Sequence, residues 1–279
     1  MDRDRMHRAV SDDGTGIVGR IDGQGPPLVL VHGSLEDGDL CWEAMLPFLR
    51  AHFTCYTPST RNRGRSGESD DLTPQRRVED VVSFVRSIGE PVSLFGESDG
   101  GTLALGAAAH TDAVSTIAVY EPVVFDVADQ DLMDLLEGAL SRVGQAVADG
   151  RLTDAARVFS ELVANDDELA TLSQSAYLDE AGRYMPVLLQ ELEQDAQSDA
   201  PSATDPSLLN TVTAPTLLMH GARSARRDWF TDGIDHIADH VNDAQTREIP
   251  DAGHFGVAFQ PRAIAKALIR FLAEAPTTS

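Results

Sequence analysis

Short, mainly apolar runs alternate with amphipathic segments along most of this chain. Each run has the length of a buried strand, and the four clearest are residues 28–31, 92–95, 117–120 and 217–219. In other segments apolar residues recur at helical spacing, notably in residues 78–88 after Pro74 and 264–272 after Pro261. This alternation predicts an α/β fold in which a mostly parallel central sheet is flanked by helices.

The strand pattern is interrupted between residues 122 and 214. Apolar residues there fall at helical spacing, at Leu132, Leu135, Leu136 and Leu140, and then at Val158, Phe159, Leu162 and Val163. Residues 195–206 are rich in Asp, Ser and Pro, which is typical of a loop that returns the chain to the sheet. We therefore expect a core formed by residues 1–121 and 215–279, with an inserted helical cap over residues 122–214.

The composition is that of an ordinary globular protein, since 42% of the 279 residues are hydrophobic and 24% are charged. Residues 1–11 lack the apolar stretch of a signal peptide or an anchor, and no later run approaches the length of a membrane span. Cys41 and Cys55 are too few for a disulfide framework and lack the spacing of a metal site. These features favour a cytoplasmic enzyme.

The chain is strongly acidic, with 45 acidic and 22 basic residues and a formal charge of −23. Such a charge repels nucleic acid and anionic lipid, so neither is an expected partner. The acidity has two interpretations that the composition leaves open. One is a solvated surface encoded by a GC-rich genome, and the other is a protein that works at high salt, where screening weakens self-repulsion.

The strongest functional signal is the sequence Gly-Glu-Ser-Asp-Gly-Gly at residues 96–101. It directly follows a predicted strand and precedes a helical pattern over residues 102–109, which is the context that a G-x-S-x-G nucleophile elbow requires. A strand-to-helix turn this tight needs glycines beside the serine, and it exposes the hydroxyl at the positive end of the helix. Ser98 is therefore the predicted nucleophile.

A second element follows the first strongly predicted strand, where His32, Gly33 and Ser34 lead into an amphipathic segment. At this place a backbone N–H contributes to an oxyanion hole, so we expect the N–H groups of Ser34 and Asp99 to form that hole. A histidine before a glycine at this point typically hydrogen-bonds nearby loops. We therefore expect a structural role for His32.

A third element is the sequence Ile-Pro-Asp-Ala-Gly-His-Phe-Gly at residues 249–256. His254 follows a strand-like segment, precedes the last predicted helix and comes after the candidate serine, as the order of a serine–acid–histidine triad requires. The chain has eight histidines, and this order and context distinguish His254 from the others. His254 is the predicted general base.

Together these residues resemble the α/β-hydrolase superfamily over roughly residues 16–272. The resemblance is carried by Pro-Pro-Leu-Val-Leu-Val-His-Gly at residues 26–33, by the elbow and by Ala-Gly-His-Phe at 252–255. Residues 61–66, Arg-Asn-Arg-Gly-Arg-Ser, are similar to the Arg/Gly-rich loop of that superfamily. Ser59 here stands where most members have Asp, and Asn62 stands where they have Gly.

The acid of the triad departs from the usual pattern of the superfamily. In most members it is an Asp three residues after the glycine that ends the strand containing residues 217–219, and here that position holds Ser224. Glu121, which closes the preceding strand, is placed like the acid of zearalenone lactonases and of one haloalkane dehalogenase branch. We expect Glu121 to orient His254, with Asp228 as the alternative. An acid at a helix start, as Asp228 is, is typically a capping residue.

A serine at the elbow favours acyl transfer, whereas related epoxide hydrolases and dehalogenases have Asp there. The expected reaction is hydrolysis of a carboxylic ester or lactone through an acyl-enzyme, and it requires no metal and no cofactor. Two alternatives stay open: the same triad with amide, peroxyacid or carbon–carbon cleavage as its main reaction, or a hydrolase-like protein that binds a ligand without catalysis. The sequence does not indicate the oligomeric state.

The expected partner is a small molecule, and its identity depends on the cap and on the shape of the pocket. Aromatic and apolar residues are candidates for a mainly hydrophobic pocket, although ordinary helix packing explains them equally well. They are Trp42, Phe125, Tyr177, Tyr184 and Met185.

Overall fold

A computed structural model describes residues 5–274, and within them the strands form a single eight-stranded sheet in the order β1-β2-β4-β3-β5-β6-β7-β8. The pairs β1–β2 and β2–β4 are antiparallel, and all the others are parallel. The strands are β1 (Met6–Val10), β2 (Gly16–Gly23), β3 (Pro27–Val31), β4 (Thr54–Pro58), β5 (Val92–Glu97), β6 (Val114–Tyr120), β7 (Thr216–Gly221) and β8 (Ala244–Ile249).

Helices cover both faces of this sheet, which confirms the predicted fold class. They are α1 (Leu46–Leu49), α2 (Pro74–Ile88), α3 (Asp99–His110), α4 (Gln130–Ala148), α5 (Leu152–Ser160), α6 (Asp166–Leu172), α7 (Tyr177–Gly182), α8 (Met185–Gln197), α9 (Pro206–Leu209), α10 (Arg227–His240), α11 (Gly256–Phe259) and α12 (Pro261–Glu274). A short 3-10 helix, Phe125–Val127, precedes α4.

The hydrophobic core is divided by the sheet. On one face the side chains of α2, α3 and α10 pack against the strands, and on the other those of α1 and α12 do so. A third buried cluster is formed by the helices between β6 and β7. It also includes Leu35, which follows β3, and Phe255, which follows β8. Burial of this apolar surface is the main stabilising contribution to the fold.

The order of the parallel strands brings the predicted functional loops together. Strand β5 lies between β3 and β6, and β7 separates β6 from β8. Because the carboxyl ends of parallel strands meet at one edge of a sheet, the segments that follow β3, β5, β6, β7 and β8 lie at the same edge. Residues 32–36, Ser98, Glu121 and His254 belong to these segments.

The structure differs from the sequence-based expectations in two places. Strands β1, β2 and β4 are not predicted by the apolar pattern, because they mix polar residues or glycines with apolar ones and so lack the apolar runs of β3, β5, β6 and β7. The expected return loop over residues 195–206 is shorter, since α8 continues to Gln197 and α9 begins at Pro206. The division into a core and a cap at residues 122 and 214 stays a prediction.

Candidate active site

Ser98 lies between the last residue of β5 and the first residue of α3, in a strained backbone conformation with φ 54° and ψ −128°. Such an angle is costly for any residue with a side chain, and it persists only where the surroundings impose it. Here two glycines allow the turn, because a Cβ on Gly96 would collide with the Gly100 carbonyl, and one on Gly100 with that of Val31. The turn holds Ser98 at the positive end of α3.

His254 and Glu121 are joined by a hydrogen bond at the edge of the sheet. Nδ1 of His254 lies 2.8 Å from Oε2 of Glu121, although the two residues are 133 positions apart. Glu121 is fully buried and has φ 45°, a left-handed conformation that directs the chain out of β6 and into Pro122. A buried carboxylate on Nδ1 keeps the proton on that nitrogen and leaves Nε2 free to accept one.

The other oxygen of Glu121 is held by the loop after β7. The Gly221 N–H donates to Oε1 at 2.8 Å, and the Ser224 hydroxyl donates to the same oxygen. Ser224 occupies the position that carries the triad acid in most members of the α/β-hydrolase superfamily. In this chain Ser224 instead donates a hydrogen bond to Glu121, which follows the neighbouring strand β6.

The imidazole of His254 is fixed on its remaining sides. Phe230 of α10 stacks on it with ring centroids 4.9 Å apart and an interplanar angle of 12°. Its Nε2 lies 3.7 Å from Oε1 of Glu97. Burial opposes the charged form, but the hydrogen bond that His254 donates to Glu121 and the charges of Glu121, Glu97 and Glu168 outweigh it and raise the pKa of His254.

Ser98 and His254 line one cavity of about 80 Å³ at this edge of the sheet. The segment between β6 and β7 supplies much of its apolar wall, through Leu132, Leu136, Phe159, Leu162 and Val163. Of the five residues expected to line a pocket, Phe125 and Tyr177 do so. Trp42 is instead packed in the core beneath the sheet, Met185 lies within the helical cluster, and the Tyr184 hydroxyl donates to Asp37 at 2.7 Å.

Asp228, the alternative acid, is exposed at the start of α10 and lines a separate depression with Asp129 and Asp131. Nδ1 of His254 is already bonded to Glu121. The structure therefore brings Glu121 to the imidazole, and it leaves Asp228 in the solvent-exposed first turn of a helix, where acids are favoured by the helix dipole.

The two N–H groups expected in an oxyanion hole belong to the loop after β3 and to the first turn of α3. The Asp99 N–H is one of the first-turn groups that have no partner within a helix. The position of Ser34 is fixed by Arg63, which donates a hydrogen bond to the Ser34 carbonyl at 3.0 Å. Arg63 in turn forms a buried ion pair with Glu191 of α8, at 2.8 Å between Nη2 and Oε2.

The side chain of Asp99 takes part in a different interaction. Its Oδ2 accepts a hydrogen bond from buried Arg77 of α2 at 2.9 Å, and Arg77 also binds both oxygens of Asp195 at 2.7 Å. Arg77 therefore neutralises much of the charge that Asp99 would otherwise place near Ser98.

His32 has the expected structural role. Its Nδ1 lies 2.8 Å from the Gly33 carbonyl, and its Nε2 accepts from the Thr60 N–H at 3.0 Å, so the neutral ring joins two loops. Burial, together with the charge of Arg63, lowers the pKa of His32 to about 4, so the ring is uncharged at neutral pH.

In the adjoining loop, Asn62 has φ 62°, a conformation that glycine and asparagine adopt with little strain.

Sequence reasoning missed three residues of this site. Glu97 and Phe230 contact the imidazole, and Oε1 of Glu168 in α6 accepts a hydrogen bond from the Phe255 N–H at 3.0 Å. Glu97 could have been identified from the sequence, because it lies within the elbow motif and directly precedes Ser98. Glu168 is part of a capping box with Asn165, but nothing in that local pattern indicates a contact with the loop that carries His254.

Comparison with known proteins assigns this chain to a family. Residues 28–267 match the model of the alpha/beta hydrolase family, so the chain is a member of that family and belongs to a class of hydrolytic enzymes. No curated protein matches it. None of the helices within residues 5–274 is long and apolar enough to cross a bilayer.

Solved structures share the fold. An alpha/beta hydrolase from Sphaerobacter thermophilus is 26% identical, with 95% of this chain and 100% of that chain covered and a TM-score of 0.73. An esterase from Rhodococcus sp. is 21% identical, with coverages of 97% and 99% and a TM-score of 0.76. A 2-hydroxy-6-oxo-6-phenylhexa-2,4-dienoate hydrolase from Rhodococcus sp. is 17% identical, with coverages of 96% and 99% and a TM-score of 0.73. These similarities do not select one reaction.

Proposed function

We propose that this protein is a serine hydrolase that cleaves a carboxylic ester or lactone, with Ser98 as nucleophile, His254 as general base and Glu121 as the acid of the triad. The observation that carries the proposal is the hydrogen bond between His254 Nδ1 and Glu121 Oε2, beside a cavity that Ser98 also lines. A buried carboxylate on a buried imidazole next to an elbow serine is the arrangement that activates a hydroxyl for acyl transfer.

In the proposed reaction, His254 Nε2 removes the Ser98 proton as the hydroxyl oxygen attacks the carbonyl carbon. The N–H groups of Ser34 and Asp99 stabilise the oxyanion, and Glu121 stabilises the imidazolium that forms. The imidazolium then protonates the leaving alkoxide, which gives an acyl-enzyme. A water molecule, deprotonated by His254, attacks this intermediate and releases the acid and free Ser98.

The cavity favours a compact substrate with apolar surface. Its free volume of about 80 Å³ suits a short acyl group, and most of its wall is aliphatic or aromatic. We further propose that the helical segment 122–214 acts as a cap, because it supplies much of that wall. It is also tied to the site at two places: Glu191 pairs with Arg63, which donates to the Ser34 carbonyl, and Glu168 accepts a hydrogen bond from the Phe255 N–H.

The test begins with a fluorophosphonate probe, which labels an activated serine. Labelling of the parent protein and its loss in Ser98→Ala would identify the nucleophile. Both proteins are then assayed with short-chain esters, lactones and amides. Parent turnover that exceeds that of Ser98→Ala by several powers of ten on esters or lactones supports the proposal. A parent protein that is not labelled, or equal turnover by the two, would show that Ser98 is not the nucleophile.

A further inference from the structure

The cavity has an acidic end beside the nucleophile. Glu97 immediately precedes Ser98, and Glu36 lies two residues after Ser34. The two side chains line the same cavity as Ser98 and His254, and each comes from a segment of the proposed catalytic machinery, the elbow or the oxyanion loop. In an otherwise mainly apolar cavity, two neighbouring carboxyl groups need a specific explanation.

The two carboxyl groups are partnered differently. Oε1 of Glu36 accepts a hydrogen bond from the Tyr177 hydroxyl at 2.7 Å. The side chain of Glu97 is only 7% exposed, yet no hydrogen bond reaches it from any residue between 5 and 274. The nearest group that can carry a positive charge is the imidazole of His254, whose Nε2 lies 3.7 Å from Oε1 of Glu97, which is longer than a hydrogen bond. Glu97 is thus a buried carboxyl group that faces the cavity without a donor.

The surroundings of Glu97 and Glu36 disfavour the ionised form of each carboxyl group. Burial raises the pKa of Glu97 to about 8, and the charges of Glu36, Glu121 and Asp99 act in the same direction against the opposing effect of His254. Burial also raises the pKa of Glu36, with Asp37 adding to the effect and with Tyr177, Cys41 and His254 opposing it. A positively charged group between the two acids would stabilise their ionised forms.

We infer that Glu36 and Glu97 form a subsite for a primary ammonium group in the acyl part of the substrate. This inference rests on the proposed function, because it places the ammonium next to the acyl carbon that Ser98 attacks. Oxygens of the two side chains lie within 4.8 Å of each other. An ammonium nitrogen that donates to two oxygens at about 2.8 Å each bridges separations of up to about 5.6 Å, so one nitrogen reaches both carboxylates.

The chemistry of the subsite favours a primary ammonium over a quaternary one. A quaternary ammonium has no N–H to donate and is typically bound against aromatic faces. A metal ion is the competing occupant, because ligand atoms of Glu36, Glu97 and Cys41 lie within 4.8 Å of one another and a bound metal deprotonates a coordinating thiol. Metal analysis of the parent and of Glu97→Gln decides between the two occupants.

No arginine or lysine within residues 5–274 pairs with these two acids. Arg226 also lines the cavity, but its Nε donates to the Leu162 carbonyl at 2.9 Å. Among the described residues, no ion pair joins Arg226 to Glu36 or Glu97. Asp99, the other acid beside Ser98, is paired with Arg77. The ammonium subsite is therefore assigned to Glu36 and Glu97 and not to Asp99.

The test compares two methyl esters of nearly identical shape. Methyl 3-aminopropanoate carries an ammonium group where methyl butanoate carries a methyl group. Acid release from each is measured with the parent, Glu97→Gln, Glu36→Gln and the control Asp228→Asn, at about pH 8, near the pKa of Glu97. Asp228→Asn removes the same charge from an exposed site outside this cavity.

We expect the parent to prefer the aminated ester in kcat/KM, and the ratio of the two esters to fall about 10- to 100-fold in Glu97→Gln, the loss expected for a charge-assisted hydrogen bond. Glu36→Gln should lower the ratio in the same direction, and Asp228→Asn should leave it unchanged. A parent without preference, or a preference that survives in both glutamine variants, overturns the inference.

Binding to Ser98→Ala separates the subsite from the reaction. Calorimetric titration with the same two esters should show tighter binding of the aminated one, and adding Glu97→Gln to Ser98→Ala should remove the difference. Selective binding without ester turnover by the parent would retain the subsite and refute the proposed function. Ester turnover by the parent without selective binding would support the proposed function and refute the subsite. A stoichiometric metal ion that is present in the parent and lost in Glu97→Gln would assign the two acids to a metal site instead.

Discussion

The Ser224 hydroxyl donates a hydrogen bond to Oε1 of Glu121, across 103 residues of sequence. With the Gly221 N–H on the same oxygen, this contact turns the other oxygen, Oε2, toward His254. The loop after β7 thus orients an acid that it does not itself provide. This relationship leads to the first two predictions.

Glu121→Gln should lower kcat on a neutral ester by about 10³- to 10⁴-fold, whereas Asp228→Asn should change it little. Without the carboxylate, nothing stabilises the imidazolium, and the amide allows His254 to adopt the wrong tautomer. Melting curves of the two variants must accompany the kinetics, so that turnover is compared per folded molecule. An inactive Asp228→Asn beside an active Glu121→Gln would assign the triad acid to Asp228.

Ser224→Ala should lower kcat roughly tenfold, which is far less than Glu121→Gln does. The substitution removes one of two donors to Oε1, and a lost hydrogen bond to a buried charged group costs about 1.5–3 kcal/mol. KM for a neutral ester should stay nearly constant, because Ser224 does not line the cavity. If kcat and the melting temperature both match those of the parent, the hydrogen bond does not orient Glu121.

The pH profile should report the raised pKa of His254. The base must be neutral to accept the Ser98 proton, so kcat/KM for a neutral ester should rise with pH and reach half its maximum above the ordinary histidine value of about 6.5. Glu121 is the largest influence that raises this pKa, and Glu97 and Glu168 add to it. The residual activity of Glu121→Gln should therefore have its midpoint at lower pH, and an unshifted midpoint would contradict this attribution.

Glu191→Gln should lower the melting temperature by roughly 10 °C. The change leaves Arg63 buried and charged without its partner, and breaking a buried pair costs about 3–5 kcal/mol. Turnover should also fall, because Arg63 holds the Ser34 carbonyl. The control is Arg151→Gln, which breaks exposed pairs with Asp149 and Asp154 and should leave the melting temperature unchanged. Equal melting temperatures for the two variants would argue against a structural role of the buried pair.

Asp99→Asn should leave the preference between cationic and neutral esters within about threefold of the parent value, since changes below about 0.6 kcal/mol correspond to that factor. The reason is that Arg77 already neutralises Asp99. The variant should instead melt at a lower temperature, because Arg77 then keeps, within residues 5–274, only Asp195 as a direct ion-pair partner. Anionic, neutral and cationic esters of equal length measure the preference, and a loss of cation preference in this variant alone would reassign it to Asp99.

Much of the fold and part of the candidate site follow from local sequence patterns. The apolar runs of β3, β5, β6 and β7 are recognisable because inner parallel strands are buried on both faces. The elbow around Ser98 is recognisable because its glycines are required by the turn itself. Strands β1, β2 and β4 are not, because polar residues or glycines interrupt their apolar positions and leave no continuous apolar run.

The sequence by itself determined the candidate residues for catalysis, namely Ser98, His254 and two possible acids, because local rules of turns and strand ends constrain each of them. Only the tertiary structure decided that Glu121 meets the imidazole, that Ser224 holds Glu121, and that Glu97 and Glu36 face one cavity. These contacts join segments that are far apart in the chain. They depend on the order of β3, β5, β6, β7 and β8 in the sheet, and no local pattern of hydrophobic and polar residues encodes that order.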